Sequence, residues 1–249
     1  FTLFFLIGIL DDKLDLNANL KILFFVILIL FLLIVDKDLH IKVIKLGFLQ
    51  NNFSIGSYSY IWTLVCFLLF INAINMFDGV NGQTGLYFLI CMIYILISNS
   101  NLNYISLIFI FPLIIFLFLN LTNKCFIGNS GTYSLSFVVA YLFIKSYNLE
   151  TIYLADEIVL LMLLPGLDLI RLFIFRILKK RNPFSPDRNH LHHYLLKKYK
   201  QEYIFLFTNL FIITFVLLGY YTKEYIYMIF LKAIIYIIVI FFLKKKFNV

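Results

Sequence analysis

Apolar residues along this chain come in continuous runs, without the in/out alternation of strands. Several runs reach the roughly 17–25 residues that a helix needs to cross the hydrocarbon core of a bilayer. Only helices and closed barrels satisfy their backbone there, and unbroken runs select helices. The pattern predicts nine helical spans: a first piece at 1–10, stopped by Asp11 and Asp12, then 20–35, 58–75, 84–98, 104–121, 132–147, 155–178, 203–220 and 225–243. Asn72, Asn75 and Asp78 extend the third span into a polar end. The mixed segment 36–57 is expected to form an interfacial helix or a short hairpin. With no repeat and no low-complexity linker, the chain reads as one all-α, multi-pass membrane domain over 1–249.

Alternating the spans puts 11–19, 76–83, 122–131 and 179–202 on one face, and 36–57, 99–103, 148–154 and 221–224 on the other. The first face and its helix ends collect Lys13, Lys21, Lys124, Arg171, Arg176, Lys179, Lys180, Arg181, Arg188, Lys197, Lys198, Lys200 and the Lys244–Lys246 tail. The second has Lys37, Lys42, Lys45, Lys145, Lys223 and Lys232. By the positive-inside rule the first face and the C-terminus are cytoplasmic.

Composition agrees. Of 249 residues, 63% are hydrophobic and 14% charged, far fewer charges than soluble domains carry. The net charge of +8 would suggest nucleic acid in a soluble protein; here it reads as Lys and Arg facing anionic lipid and phosphate, with no nucleic-acid partner. Cys66 and Cys91 lie in apolar runs and Cys125 in a short polar loop, so no disulfide framework is indicated. The chain opens on Phe1 inside an apolar run, and the expectation is an N-terminally incomplete domain without a cleavable signal.

The unusual polar clusters lie on the cytoplasmic face. Asp11 and Asp12 repel each other unless a cation or a proton-transfer partner uses them, although a solvated helix end is the simpler reading of the pair alone. Asn72, Asn75 and Asp78 share one helix face, which points to a water-filled cavity or a ligand, against plain helix–helix hydrogen bonding. Gly79 and Gly82 let backbone approach such a ligand. Gly128-Asn129-Ser130-Gly131, just before a span, is either a phosphate cradle or an ordinary helix cap. Three of the four histidines, His190, His192 and His193, stand within four residues, after Pro183-Phe184-Ser185-Pro186-Asp187-Arg188. Zinc is conceivable, but no cysteine or carboxylate stands beside them in the required pattern, and flanking Arg and Lys suit phosphate better. Asp168 and Arg171 are spaced for a structural ion pair inside the bundle.

In order, Asp11-Asp12, Asn72-x-x-Asn75-x-x-Asp78-Gly79, Gly128-x-x-Gly131 and His190-x-His192-His193 resemble the prenyl-phosphate N-acetylhexosamine-1-phosphate transferase family along the whole chain. The stretch from Pro183 to His193 is closer to its GlcNAc-1-phosphate members than to the phospho-MurNAc-pentapeptide translocase. That family has ten or eleven helices, so two spans before Phe1 would complete it. The resemblance implies transfer of a HexNAc-1-phosphate from a UDP-sugar to polyprenyl (undecaprenyl) phosphate, releasing UMP, in the bacterial cytoplasmic membrane.

By the same resemblance, Asp11, Asp12 and Asp78 are catalytic. Asn72, Asn75, Asp78, Asn81, Arg188, His190, His192 and His193 bind substrate, and Mg2+, or Mn2+, sits near Asn75 and Asn129. The expected partners are a UDP-N-acetylhexosamine, a polyprenyl phosphate and the membrane, with a homodimer as an allowed assembly. Two positions depart from the family pattern, which often has Asp at Asn81 and usually has Asp at Asn129. An amide at Asn81 still pairs with a uracil edge through donor and acceptor. Asn129 removes a charge from the metal site. A transporter or flippase, or a weakly active scaffold, are the competing classes; the first predicts polar residues at the bilayer midplane, which the pattern lacks.

Overall fold

The computed structural model describes residues 1–98, 102–183 and 189–247. Among them are ten α-helices: α1 (Thr2–Leu14), α2 (Ala18–Val35), α3 (Ser59–Phe77), α4 (Gln83–Ile97), α5 (Asn103–Leu121), α6 (Gly128–Asn148), α7 (Ala155–Leu178), α8 (Leu191–Leu196), α9 (Gln201–Thr222) and α10 (Tyr225–Phe247). Each expected span is one of these helices. Six, namely α2, α3, α5, α7, α9 and α10, are long and apolar enough to cross a membrane. The pattern predicts nine spans, and the other three helices differ for physical reasons. α1 and α4 are short, and α6 carries Asn129, Ser130, Thr132, Ser134, Ser136 and Ser146.

α6 tolerates those polar residues because it is the central helix. It packs along α1, α3 and α4, and Thr132, Ser134, Ser136 and Ser146 are buried with Tyr133, Val139 and Leu142. Small hydroxyl residues let neighbouring helices approach closely, and Thr132 and Ser134 return their hydroxyls to carbonyls one turn back, Gly128 and Ser130. Outward faces are the opposite: Phe111 and Phe118 on α5 and Phe241 and Phe242 on α10 are largely exposed. Apolar surface of that extent is stable only against lipid.

The segment 36–57 resolves to the hairpin alternative. A 3-10 turn at Lys37–Leu39 precedes two two-residue antiparallel strands, β1 (Val43–Ile44) and β2 (Phe53–Ser54). It is tied to the far end of α6: the Lys145 ammonium lies 2.8 Å from Asp36, the Lys45 N–H donates to the Tyr147 hydroxyl, and that hydroxyl donates to the Val43 carbonyl.

α1 meets the start of α6 at Gly8, where an added Cβ would overlap the backbone of Ser130 and Asn129. Gly8→Ala must push the two helices apart. The expected loss is about 1–3 kcal/mol of stability, the usual cost of overpacking, read as a lower thermal unfolding midpoint in detergent. An unchanged midpoint would show that this crossing is loose.

Candidate functional site

The polar face of α3 opens onto a cavity of about 590 Å³ at the end of the bundle where α1, α3 and α7 finish. Asn72, Asn75 and Asp78 line one wall, and His190, His192 and His193 line another. Two cations, Lys21 of α2 and Arg176 of α7, and one further anion, Asp15 after α1, join the polar part with Tyr133, while Ile22, Phe25, Leu169 and Phe173 supply an apolar flank. One space therefore offers positive charge, neutral amides, imidazoles and an apolar groove.

α7 holds the arm that carries the histidines. Arg176 donates to the Pro183 carbonyl (2.6 Å) and Arg171 to the Asn189 carbonyl. These grips flank 184–188, which lies outside the described residues, as does the expected substrate ligand Arg188 within it. The Asp168–Arg171 ion pair forms, at 2.7 Å. It also does more: the Tyr236 hydroxyl of α10 donates to Asp168 (2.7 Å), the Leu191 N–H reaches it at 3.3 Å, and His190 Nδ1 lies 3.2 Å from it. His190, in extended backbone, precedes α8, and His192 and His193 lie within that helix.

The rings of His190 and His192 stack almost parallel, with centroids 5.4 Å apart, and His193 lies 4.2 Å from His192. His192 lies across the backbone of Gly79, where a Cβ would overlap its ring. Burial, with His193 and His190 beside it, pushes the His192 imidazole down to about 3, so it is neutral at any working pH.

The paired aspartates part company. Asp11 is buried, receives the Tyr133 hydroxyl (2.7 Å) and the Leu16 N–H (3.0 Å), and pairs with Lys21 at 2.8 Å. It thereby presents Lys21 and Tyr133 to the cavity they line. Asp12 turns to α6 and accepts from the N–H groups of Asn129 (2.9 Å) and Ser130 (3.2 Å). The free amides at this helix start are thus taken by a carboxylate from another helix, which is the cap reading realised across the bundle. Gly128, at φ +61°, makes the turn into α6, and a Cβ there would sit 2.9 Å from Asp12.

Asp78 sits between the two halves of the site. It lines the larger cavity and also a second one, of about 380 Å³, with Asn81, Asn120, Phe116, Phe126 and Gly128. Asn81 donates to the Asn123 side chain (2.7 Å), and Asn120 accepts from the Gly82 N–H (2.6 Å). The Thr84 hydroxyl donates to Asp78 at 2.8 Å. Burial pushes the Asp78 carboxyl up to about 6; the Thr84 and Thr132 hydroxyls oppose this and the Asp12 charge adds to it.

Among the described residues no group of three or more His, Cys, Asp or Glu could hold a metal ion. A hard divalent cation needs less, because Mg2+ takes one or two carboxylates and completes its shell with water and phosphate oxygens. Asp78, raised in part by the charge of Asp12, is a carboxylate short of positive charge, and Asn75 lines the same cavity. That donor set fits Mg2+ or Mn2+ bound together with a phosphorylated substrate.

The structure therefore brings Asn72, Asn75, Asp78, His190, His192 and His193 to one cavity, Asn81 to the adjoining one, and Asp11, Asp12 and Asn129 to the junction behind them. Sequence reasoning missed Tyr133, Phe126, Asn120 and Tyr236, and saw Lys21 and Arg176 only as topology signals. For the two cations, their position at the cavity ends of α2 and α7 was the available signal.

The sequence profile described as glycosyl transferase family 4 matches residues 1–147. The chain belongs to this family. Relatives agree with the resemblance that the motifs carry. One, from Bacillus subtilis (strain 168), is named probable undecaprenyl-phosphate N-acetylglucosaminyl 1-phosphate transferase; it is 29% identical over 197 residues, 76% of this chain and 54% of its own length. Undecaprenyl-phosphate alpha-N-acetylglucosaminyl 1-phosphate transferases of Escherichia coli (strain K12) and Yersinia pestis are 25% and 26% identical over 204 residues, 77% of this chain and 55% of theirs. The chain spans about half the length of the curated relatives it matches. Membership makes it an integral membrane member of a transferase family.

Asp78 gives a stability test. Its folded pKa lies above the roughly 3.9 of an unfolded aspartate, so between about pH 4 and 6 the native state holds more protons. Stability is therefore lost as pH rises through this window, and the ionised carboxylate is a net burden above it. Asp78→Asn should unfold at higher temperature than the parent at pH 8, by the equivalent of about 1–3 kcal/mol, with the difference vanishing near pH 4. Equal midpoints at both pH values would mean that Asp78 is fully solvated.

Proposed function

We propose that this chain transfers a HexNAc-1-phosphate from a UDP-sugar to a polyprenyl phosphate and releases UMP, with GlcNAc, the sugar in its relatives' names, as the first choice. The observation that carries the reading is the larger cavity, where cations, imidazoles and the amide face of α3 meet an apolar flank. An acceptor with a charged head and a prenyl tail needs both. The tail lies along Ile22, Phe25, Leu169 and Phe173, and the phosphate head faces Lys21 and Arg176. The smaller cavity takes the uridine, with the Asn81 amide at the uracil edge and Phe116 and Phe126 beside the ring. Asp78, common to both cavities, stands where the diphosphate joins them.

In the reaction an acceptor phosphate oxygen attacks the sugar-bearing phosphorus, and the bond to the bridging oxygen of UMP breaks. Two anions must meet, so charge neutralisation and alignment supply most of the catalysis. Asp11 acts by holding Lys21, and Asp12 by fixing the start of α6 beside Asp78. His193 and neutral His192 bind the diphosphate sugar, His192 on the platform of Gly79. Bound at Asp78 with Asn75 and Asn129 nearby, Mg2+ or Mn2+ supplies Lewis-acid neutralisation of the diphosphate. With the nine spans that the sequence pattern predicts, this end of the bundle and the C-terminus lie on the cytoplasmic side of a bacterial inner membrane, in agreement with the Lys and Arg bias. A flippase would place its binding groups at midplane, whereas the cations, imidazoles and amides of this cavity gather at one end of the bundle.

The test is UMP release from a panel of UDP-sugars by the full-length protein with short polyprenyl phosphates. Release should require Mg2+ or Mn2+, and Asn129→Asp should lower the metal concentration for half-maximal rate. His193→Ala should lose roughly ten- to a hundredfold, the worth of one hydrogen bond to a charged group. Metal-independent release, or full activity of His193→Ala, would contradict this arrangement; no UMP from any UDP-sugar would overturn the reading itself.

A further inference from the structure

We infer that a slot between α9 and α10, closed behind by α8, binds one anionic glycerophospholipid of the adjacent leaflet; the inference stands apart from the transferase reading. The slot measures about 520 Å³ and lies where α9 begins and α10 ends. Leu195 of α8 and Ile204 of α9 are 6% and 1% exposed and form its floor. Phe207 of α9, with Ile238 and Phe242 of α10, lines the sides and is largely exposed, so the hollow opens on the lipid-facing surface. Its polar lining comes from one short stretch, Lys198, Tyr199 and Tyr203, and there Lys198 donates to the Tyr199 hydroxyl at 2.7 Å. Lys197 and Lys200 stand exposed in the same turn, and Lys244 and Lys245 follow Leu243 on α10. Against these cations stands Glu202, exposed in the first turn of α9.

Lysines and tyrosines at a membrane interface are ordinary anchors, and a smooth helix face bearing them would select no particular lipid. Two observations set this face apart. It is concave with a buried floor, so a hydrocarbon chain lying in it meets protein on several sides and gathers more dispersion contacts than on a flat face. The hollow also comes with charge. An apolar cavity of about 450 Å³ at the far end of the bundle, between α3, α6, α7 and the hairpin, has no charged residue in its lining. One lipid satisfies both ends of the slot, its phosphate beside Lys198 and one acyl chain along Ile204, Phe207 and Val239. A zwitterionic head would bring its own ammonium to the same lysines, so a net negative head is favoured. The prenyl phosphate has a separate place: α8 turns His192 and His193 to the larger cavity and Leu195 to the slot.

Fluorescence quenching reads the slot directly. Phe242→Trp supplies a reporter at its rim, in full-length protein with Trp62 and any other tryptophan replaced by Phe. The protein is reconstituted in phosphatidylcholine bilayers with rising fractions of chain-brominated phosphatidylglycerol or chain-brominated phosphatidylcholine. Brominated phosphatidylglycerol should reach the reporter roughly fivefold more strongly, the worth of one lysine beside an anionic head. Adding Lys198→Gln with Lys200→Gln should bring that ratio close to one. Val239→Phe, which fills the slot and leaves the lysines in place, should do the same; the lysine pair decides alone if Val239→Phe is not extracted as folded protein. Equal quenching by the two lipids overturns the site. A preference that survives Val239→Phe, or survives loss of both lysines, belongs to the basic surface at large and overturns the slot. Relief of quenching by a short polyprenyl phosphate at lower concentration than unbrominated phosphatidylglycerol would make the acceptor the occupant and overturn the glycerophospholipid.

Discussion

A carboxylate at the end of an apolar bundle must find its solvation in protein, and three of them set this site. Asp11 of α1 is neutralised by Lys21 of α2 and hydrogen-bonded by Tyr133 of α6. Asp12 takes the first amides of α6. Asp168 of α7 gathers Arg171, Tyr236 of α10 and the histidine arm. Removing one partner from a buried charge costs several kcal/mol, so the buried Asp11 and Asp168 lock helices that lipid-facing apolar contacts alone would leave free to slide, while Asp12, which is exposed, adds a cap to the start of α6. Helix association in a membrane lacks the hydrophobic drive of water, which gives such polar ties unusual weight.

Asp78 is the exception, and the exception is informative. Its donor is the Thr84 hydroxyl, its neighbour Asp12 is another anion, and no described cation is paired with it. A carboxylate left in that condition at the meeting of two cavities is poised for an external positive charge. The same logic makes the cavity cationic elsewhere: Lys21 and Arg176 are oriented by Asp11 and by the Pro183 carbonyl, and face the space they line. Asp11 and Asp168 are compensated by cations within the bundle; Asp78, where the two cavities meet, is not.

Much of this was legible along the chain. The runs that predict nine spans all became helices, and the spacing of Asn72, Asn75 and Asp78 placed them on the wall where they stand. The pairing of Asp168 with Arg171 followed from their spacing of three. What the pattern could not show are partners joined by tertiary packing: Asp12 reaches Asn129 across 117 positions, and Tyr236 reaches Asp168 across 68. A tyrosine in an apolar span carries no mark of its hydrogen bond. Nor does adjacency reveal that Asp11 is buried against Lys21 and Tyr133 while Asp12 caps the start of α6, since consecutive helical residues lie about 100° apart and serve different neighbours. The histidine arm defeated periodicity for a further reason: His190 is extended while His192 and His193 are helical.

The account stands on one geometric claim, that the ends of α1 and α7, with the arm, form a single substrate cavity on the cytoplasmic face. Single cysteines at Asn17 and Asn182, both lining that cavity, in a chain with Cys66, Cys91 and Cys125 replaced, test it through a membrane-impermeant thiol reagent applied to sealed inside-out and right-side-out vesicles. Both positions should label only from the cytoplasmic side, and UDP-GlcNAc should slow both. Labelling from opposite sides, or labelling indifferent to the nucleotide sugar at both positions, would contradict it.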